Sequence, residues 1–126
     1  MTDLKDFFGI VVYTIEDYGC LNGLWSNIEL NGETMNEIAK YKGTIKKEEK
    51  SYFHEGEYNV TYIENDKKIY NGTLTINRNE FKQENYYSLF WQFEDYFNKE
   101  NFYFKGKGFI IGKQLIASFV KWEKEI

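Results

Sequence analysis

The sequence predicts an all-β protein, an antiparallel up-and-down barrel of about eight strands. The first observation behind this prediction is a period-two alternation of apolar and polar residues, which recurs through most of the chain and is interrupted at short intervals by turn residues. The second is composition: aromatic residues, which favour strands, make up 20% of the 126 residues, whereas Ala occurs only at Ala39 and Ala117. The third is the absence of proline, so every residue can donate a backbone N–H to a sheet.

The alternation defines eight segments in chain order, at 9–16, 21–28, 37–44, 58–63, 70–77, 86–93, 102–111 and 115–122. In the first of these, Val11, Tyr13 and Ile15 share one face. In the third, Ala39 and Tyr41 alternate with two lysines. The segments at 58–63 and 70–77 alternate most regularly, and the polar residues between them predict a hairpin.

Turn residues separate these segments at 17–19, 31–33, 46–50, 65–68 and 111–114. The run at 46–50 is Lys-Lys-Glu-Glu-Lys, and its mixed charge predicts a solvated loop. One short helical turn is expected at 3–7, where Thr2 or Asp3 could cap it. We expect the whole chain, 1–126, to form one barrel domain.

Glycines inside strands need a physical explanation, because glycine normally weakens a strand. They occur at Gly23, Gly72, Gly106 and Gly108. Tight coiling of a closing sheet, or close packing of a neighbouring ring over the backbone, would account for them, and ordinary bulges are the alternative. Closure is also favoured because an open sheet without covering helices would leave two long edges.

Three short stretches resemble the calycin class, which includes lipocalin-like and avidin-like barrels. They are Leu21-Asn22-Gly23-Leu24-Trp25, the segment 70–76 and the segment 88–92. The resemblance implies a meander barrel whose interior binds a small molecule. The lipocalin Gly-x-Trp element is not at the N-terminus here, and the set of Trp residues that encloses biotin in avidins is missing, so the resemblance does not imply biotin binding.

Aromatic side chains are the candidate ligand-binding residues, namely Trp25, Tyr41, Tyr62 and Trp91. An eight-stranded barrel is just wide enough to hold one small ligand between such rings, although the same rings could instead fill the interior. We therefore expect a non-catalytic binding protein for a small apolar or aromatic ligand. The alternative is a protein–protein interaction or structural module, for example a homodimer, that acts through an outer aromatic surface.

The sequence predicts no catalytic residue, no metal site and no cofactor. His54 is the single histidine and Cys20 the single cysteine, whereas a metal site normally needs three or four ligands. A reactive thiolate would need a cationic neighbour, and Glu16 and Asp17 near Cys20 carry the opposite charge.

Charge and hydropathy argue against two classes of partner, nucleic acid and membranes. A net charge of −4 argues against nucleic acid, even though Lys105 and Lys107 follow Tyr103. No apolar run approaches the ~18 residues of a membrane-spanning helix. The lone cysteine and a first segment without signal-peptide features predict a cytoplasmic protein.

Overall fold

The computed structural model describes residues 8–27, 33–64, 68–78, 85–94 and 100–122. Its eight strands are β1 Phe8–Glu16, β2 Cys20–Asn27, β3 Met35–Tyr41, β4 Gly56–Ile63, β5 Ile69–Arg78, β6 Tyr86–Glu94, β7 Asn101–Ile111 and β8 Gln114–Trp122. Two 3-10 turns, Asp17–Gly19 and Lys47–Glu49, accompany them. The predicted helical turn at 3–7 lies outside the described residues.

Each strand pairs antiparallel with the next strand in sequence, and β8 pairs with β1, so the sheet closes into an up-and-down barrel. This confirms the predicted fold class. The third and fourth strands each begin two residues before their predicted starts, because Met35 pairs with Trp25 and Gly56 pairs with Ile76. In the described part of the chain, no helix is long and apolar enough to cross a membrane.

All eight registers match residues one to one, so no bulge interrupts the described ladders. The strand glycines instead allow close approach, at Gly23 and Gly106 partly by aromatic rings, whereas a Cβ on Gly72 or Gly108 would first meet a backbone oxygen of a neighbouring strand. A Cβ on Gly23 would lie 2.8 Å from two ring carbons of Tyr13, and a Cβ on Gly106 would lie 3.0 Å from the Trp91 indole. The expected close packing of rings over glycine backbone is therefore present at these positions.

Different described residues lie at the two ends of the barrel. At one end, which we call the closed end, the chain from 42 to 55 crosses between β3 and β4 and places Phe53 against Tyr87, with ring centroids 5.0 Å apart. We call the other end the aromatic end. There β2, β4, β6 and β8 finish, and their inward residues are mostly large rings.

Candidate ligand site at the aromatic end

Glu37 is the one buried charged side chain among the described residues, with 5% of its surface exposed. It faces inward because Met35, Glu37 and Ala39 alternate with exposed residues along β3. Two donors reach its Oε2 atom. The Tyr13 hydroxyl donates a hydrogen bond to it, and the Trp91 indole nitrogen lies 3.4 Å away. Trp91 Nε1 also donates to the Tyr13 hydroxyl at 3.0 Å, so the three side chains form one hydrogen-bonded group.

The register explains how this group forms. Tyr13, Gly23 and Glu37 occupy paired positions on three adjacent strands, and all three point into the barrel. Because Gly23 has no side chain, the Tyr13 ring can cross over it towards Glu37. Trp91 approaches from β6 and lies against Gly106. The polar group is therefore assembled from residues as far apart as 78 positions in sequence.

Burial is the largest cause of the pKa shifts in this group. Desolvation raises the pKa of Glu37 to about 7, although the hydrogen bonds from Tyr13 and Trp91 act in the opposite direction. Burial, followed by the nearby Glu37 charge, raises the pKa of Tyr13 well above its usual value. The Glu37 carboxyl can therefore gain or lose a proton near neutral pH. Its second oxygen, Oε1, accepts no hydrogen bond from the residues that the structure describes.

A circuit of five aromatic rings surrounds the interior at the aromatic end. We call it the aromatic collar, and it consists of Trp25, Tyr62, Phe93, Phe104 and Phe119. Neighbouring rings are 4.8 to 6.3 Å apart and meet edge to face. Each ring of the collar contacts the next, and Phe119 contacts Trp25, so the contacts form a closed circuit.

The collar and the polar group are neighbours. Trp91 packs edge to face against Phe119 of the collar at 5.7 Å, and Tyr62 of the collar is the strand partner of Glu37. Trp25 adds a polar atom of its own, because its Nε1 is buried and has no acceptor within the described structure. Within the described part of the chain, Trp25 Nε1 and Glu37 Oε1 thus have no hydrogen-bond partner beside the collar.

The structure brings three of the four predicted binding residues together. Trp25 and Tyr62 are in direct contact in the collar, with ring centroids 5.4 Å apart. Trp91 contacts the collar through the ring of Phe119. Tyr41 lies at the closed end, where its ring stacks on His54 at 5.1 Å. Tyr41 therefore does not share a site with the other three residues, and a binding role for any of the four stays a prediction.

Glu37 and Tyr13 were not among the residues expected to form a site. A signal for Glu37 was present, since it shares the face of Ala39 and Tyr41 in the predicted strand at 37–44. An acidic residue on an otherwise apolar face is the pattern that would have identified it. Nothing in the sequence places Tyr13 beside it, because that contact depends on the register and on Gly23.

The single histidine and cysteine lie apart from this site. His54 is half-buried against Tyr41, and burial followed by the charge of Glu16 raises the pKa of the Cys20 thiol, which disfavours the thiolate. Within the described ranges, no three His, Cys, Asp or Glu side chains form a group that could hold a metal ion.

No known protein-family model matches this chain, and neither a curated protein nor a solved structure matches it significantly.

Proposed function

We propose that this protein binds a small apolar or aromatic molecule at the aromatic end of its barrel, without catalysing a reaction. The observation that carries the proposal is the aromatic collar with two available polar atoms beside it, Trp25 Nε1 and Glu37 Oε1. Sites for small molecules are typically apolar and aromatic, with a few polar groups that fix the orientation of the ligand.

Each part of the site has a distinct role in this proposal. The collar rings supply edge and face contacts to a flat ligand. Trp25 Nε1 would donate a hydrogen bond to an acceptor on the ligand, which would remove the cost of a buried donor without a partner. Glu37 would accept a hydrogen bond when ionised or donate one when protonated, since its pKa is about 7.

The barrel topology supports the calycin-like assignment that the sequence suggested, and we include that assignment in the proposal. Barrels of this strand number can hold one small ligand. We also propose that the protein works in the cytoplasm, which the free Cys20 thiol supports because a reducing compartment keeps such thiols unpaired.

Tryptophan fluorescence tests the proposal, with naphthalene and 2-naphthol as probes. The chain has three Trp residues, of which Trp25 and Trp91 lie at the site and Trp122 lies on the outer face of β8. We expect saturable quenching by both probes, and tighter binding of 2-naphthol because its hydroxyl can bond with Glu37. The Trp25→Phe variant should lose the part of the response that comes from Trp25 while Trp91 still reports, whereas the matched Trp122→Phe control should keep the full response.

A crystal structure of the protein soaked with 2-naphthol provides the decisive comparison. Electron density for the probe between the collar rings would support the proposal. Density showing the space inside the collar filled by the protein's own side chains, together with no saturable quenching, would rule it out.

A second candidate function is an interaction module that uses the outer surface. One cluster favours it: Phe90, Tyr103 and Trp122 pack together on the outside of the barrel, and Lys105 Nζ lies 4.1 Å from the centre of the Trp122 ring. An open groove of about 560 Å³, partly lined by Phe90 and Lys105, adjoins this cluster. A Tyr103→Ser and Trp122→Ser double variant should abolish partner binding but keep the probe response; loss of both would count against a separate outer site.

A further inference from the structure

Glu37 is a buried acid without a positively charged partner in the described part of the chain. Its two hydrogen-bond donors are neutral, the Tyr13 hydroxyl and the Trp91 indole nitrogen, and both reach the same oxygen, Oε2. No described Lys, Arg or His side chain bonds to Glu37. Buried charges in proteins are normally paired with an opposite charge, because desolvation of an unpaired one is costly. The ionised form of Glu37 therefore lacks a cation within the described structure.

The burial of this carboxyl has an energetic consequence. Desolvation raises the pKa of Glu37 to about 7, because removing the ionised carboxylate from water is unfavourable. A nearby positive charge has the opposite effect and favours the ionised form. Titratable groups with strongly shifted pKa values are frequent at functional sites. Glu37 is therefore a candidate for direct contact with a ligand of opposite charge.

Aromatic rings of the collar lie beside this carboxyl. Tyr62 is the strand partner of Glu37, and its ring contacts that of Trp25 at a centroid distance of 5.4 Å. Trp91, whose indole nitrogen lies 3.4 Å from Oε2, contacts the ring of Phe119. Glu37 retains 5% exposure, so these neighbours do not seal it completely. A ligand group that bonds to the second oxygen, Oε1, would therefore lie next to rings of the collar.

The surroundings favour an organic cation over a metal ion. Hard cations such as Ca²⁺ and Mg²⁺ need several oxygen ligands, and the described residues include no group of three His, Cys, Asp or Glu side chains that could hold one. Aromatic rings, by contrast, attract an ammonium group within about 6 Å of the ring centre, because the ring faces carry partial negative charge. A carboxylate beside aromatic rings thus offers a protonated amine two kinds of favourable contact.

We propose that the ligand of the aromatic end carries a protonated amine, which bonds to Glu37 Oε1 and contacts rings of the collar. This inference rests on the binding function proposed above and specifies the chemical class of the ligand. The amine supplies the positive charge that Glu37 lacks, and the apolar or aromatic body of the ligand packs against the remaining collar rings. Trp25 Nε1 can donate to an acceptor atom elsewhere on the same ligand.

Few titratable groups face Glu37 from the neighbouring strands. Tyr13 of β1 stays neutral, since burial holds its pKa well above the usual value; β4 contributes Tyr62, and β6 contributes Trp91, which does not titrate. The described charged residues at the rim of the aromatic end are Glu33, Glu64, Lys68, Glu94, Glu100 and Lys121. None of them bonds to Glu37. Near neutral pH, the charge next to the collar therefore changes through Glu37 itself.

Three naphthalene derivatives that differ in charge test this proposal. At about pH 8, naphthalen-2-ylmethylamine is a cation, 2-naphthol is neutral and 2-naphthoate is an anion. Isothermal titration calorimetry measures their dissociation constants. We expect the amine to bind at least ~10-fold more tightly than 2-naphthol, because a carboxylate bonds more strongly to a cation than to a neutral donor. The anion should bind most weakly.

Two variants that each remove one acid show whether Glu37 causes this preference. Glu37→Gln should abolish the preference for the amine while 2-naphthol still binds. The matched control is Glu94→Gln, because Glu94 is an exposed acid at the rim, where water and salt screen its charge. Its preference should differ from that of wild type by less than ~2-fold. Thermal melting checks that both variants are folded.

The pH dependence of the wild-type protein gives a second measurement, which does not require Glu37→Gln to fold. The amine binds the ionised carboxylate, whose fraction rises from about a tenth at pH 6 to about nine tenths at pH 8 for a pKa of about 7. The affinity for the amine should therefore rise about 10-fold over this range. The affinity for naphthalene, which has no polar group, should not rise.

The outcomes separate this proposal from the binding function on which it rests. If 2-naphthol binds as tightly as the amine or more tightly, the amine proposal is wrong but the binding function stands. Equal loss of the preference in Glu37→Gln and Glu94→Gln also overturns the amine proposal, because the preference would then come from overall charge. If none of the probes binds, both proposals fail.

Discussion

The two ends of the barrel are both rich in aromatic rings, but one buried polar ring atom at each end differs in whether it has a hydrogen-bond partner. At the closed end, the Tyr58 hydroxyl donates a hydrogen bond to the His54 carbonyl oxygen. At the aromatic end, Trp25 Nε1 is buried without an acceptor in the described structure. Buried polar atoms in proteins nearly always have partners. The difference is the one that the proposed binding role of the aromatic end requires.

The segment across the closed end is held at several points. The backbone N–H of Tyr18 donates to the Lys50 carbonyl oxygen at 2.7 Å, and the Ser51 hydroxyl donates to Asp17 Oδ1 at 3.1 Å. These bonds attach the segment to the turn between β1 and β2. The pair formed by Glu55 and Arg78 attaches its far end to β5, with Glu55 Oε2 and Arg78 Nε 3.7 Å apart. This end is therefore closed by specific contacts along the segment and not by a single residue.

Truncating one ring at each end should give the largest contrast. Tyr58 is fully buried, so Tyr58→Ala should lower the free energy of unfolding by about 3–5 kcal/mol, as expected for a large core side chain. Phe102 is only half-buried at the aromatic end, and Phe102→Ala should cost about 1–2 kcal/mol. Urea unfolding of both variants measures the difference. Equal losses would show that the two ends contribute alike to stability.

The polar group between the two ends should make stability depend on pH. The pKa of Glu37 is about 7 in the folded protein and near its ordinary value of 4.5 when unfolded. Between these values the folded state holds a proton that the unfolded state releases, so the free energy of unfolding falls as pH rises from 4.5 to 7 and levels off above. The total decrease is about 3 kcal/mol.

The Glu37→Gln variant is the control for this prediction, since it removes the titrating group and keeps a side chain of similar shape. Urea unfolding at a series of pH values gives the difference between wild type and variant. If that difference does not change with pH, Glu37 titrates near its ordinary value and the carboxyl is more hydrated than the structure indicates.

The smallest expected effect concerns the glycine beneath Tyr13. In Gly23→Ala the new Cβ would lie 2.8 Å from two ring carbons of Tyr13, and the hydrogen bonds to Glu37 and Trp91 restrict movement of that ring. We expect a loss of about 1–3 kcal/mol in the free energy of unfolding. The adjacent Asn22→Ala, on the exposed face of β2, is the matched control and should change stability by less than about 0.5 kcal/mol. An unchanged Gly23→Ala protein would mean that the ring can move freely.

Much of the fold could be predicted from local patterns. Alternation in the sequence predicts the strand at 86–93 but not which of its faces points inward, because rings occur on both, and the structure places Tyr87, Leu89, Trp91 and Phe93 inside. The turn at 17–19 also occurs where Gly and Asp predicted it. The candidate site was harder to predict because its contacts are long-range. Trp91 and Glu37 are 54 positions apart, and only the barrel register brings them together.

The sequence by itself therefore determined the strand pattern, because period-two alternation, turn residues and the lack of proline act within a few positions of each other. It also showed that four glycines lie inside strands, although not what packs against each one. Only the tertiary structure decided that Tyr41 lies at the opposite end from Trp25 and Tyr62, and that Glu37 joins Tyr13 and Trp91. The physical reason is closure: pairing β8 with β1 sets the stagger of all eight strands, and that stagger decides which inward side chains share a level of the barrel.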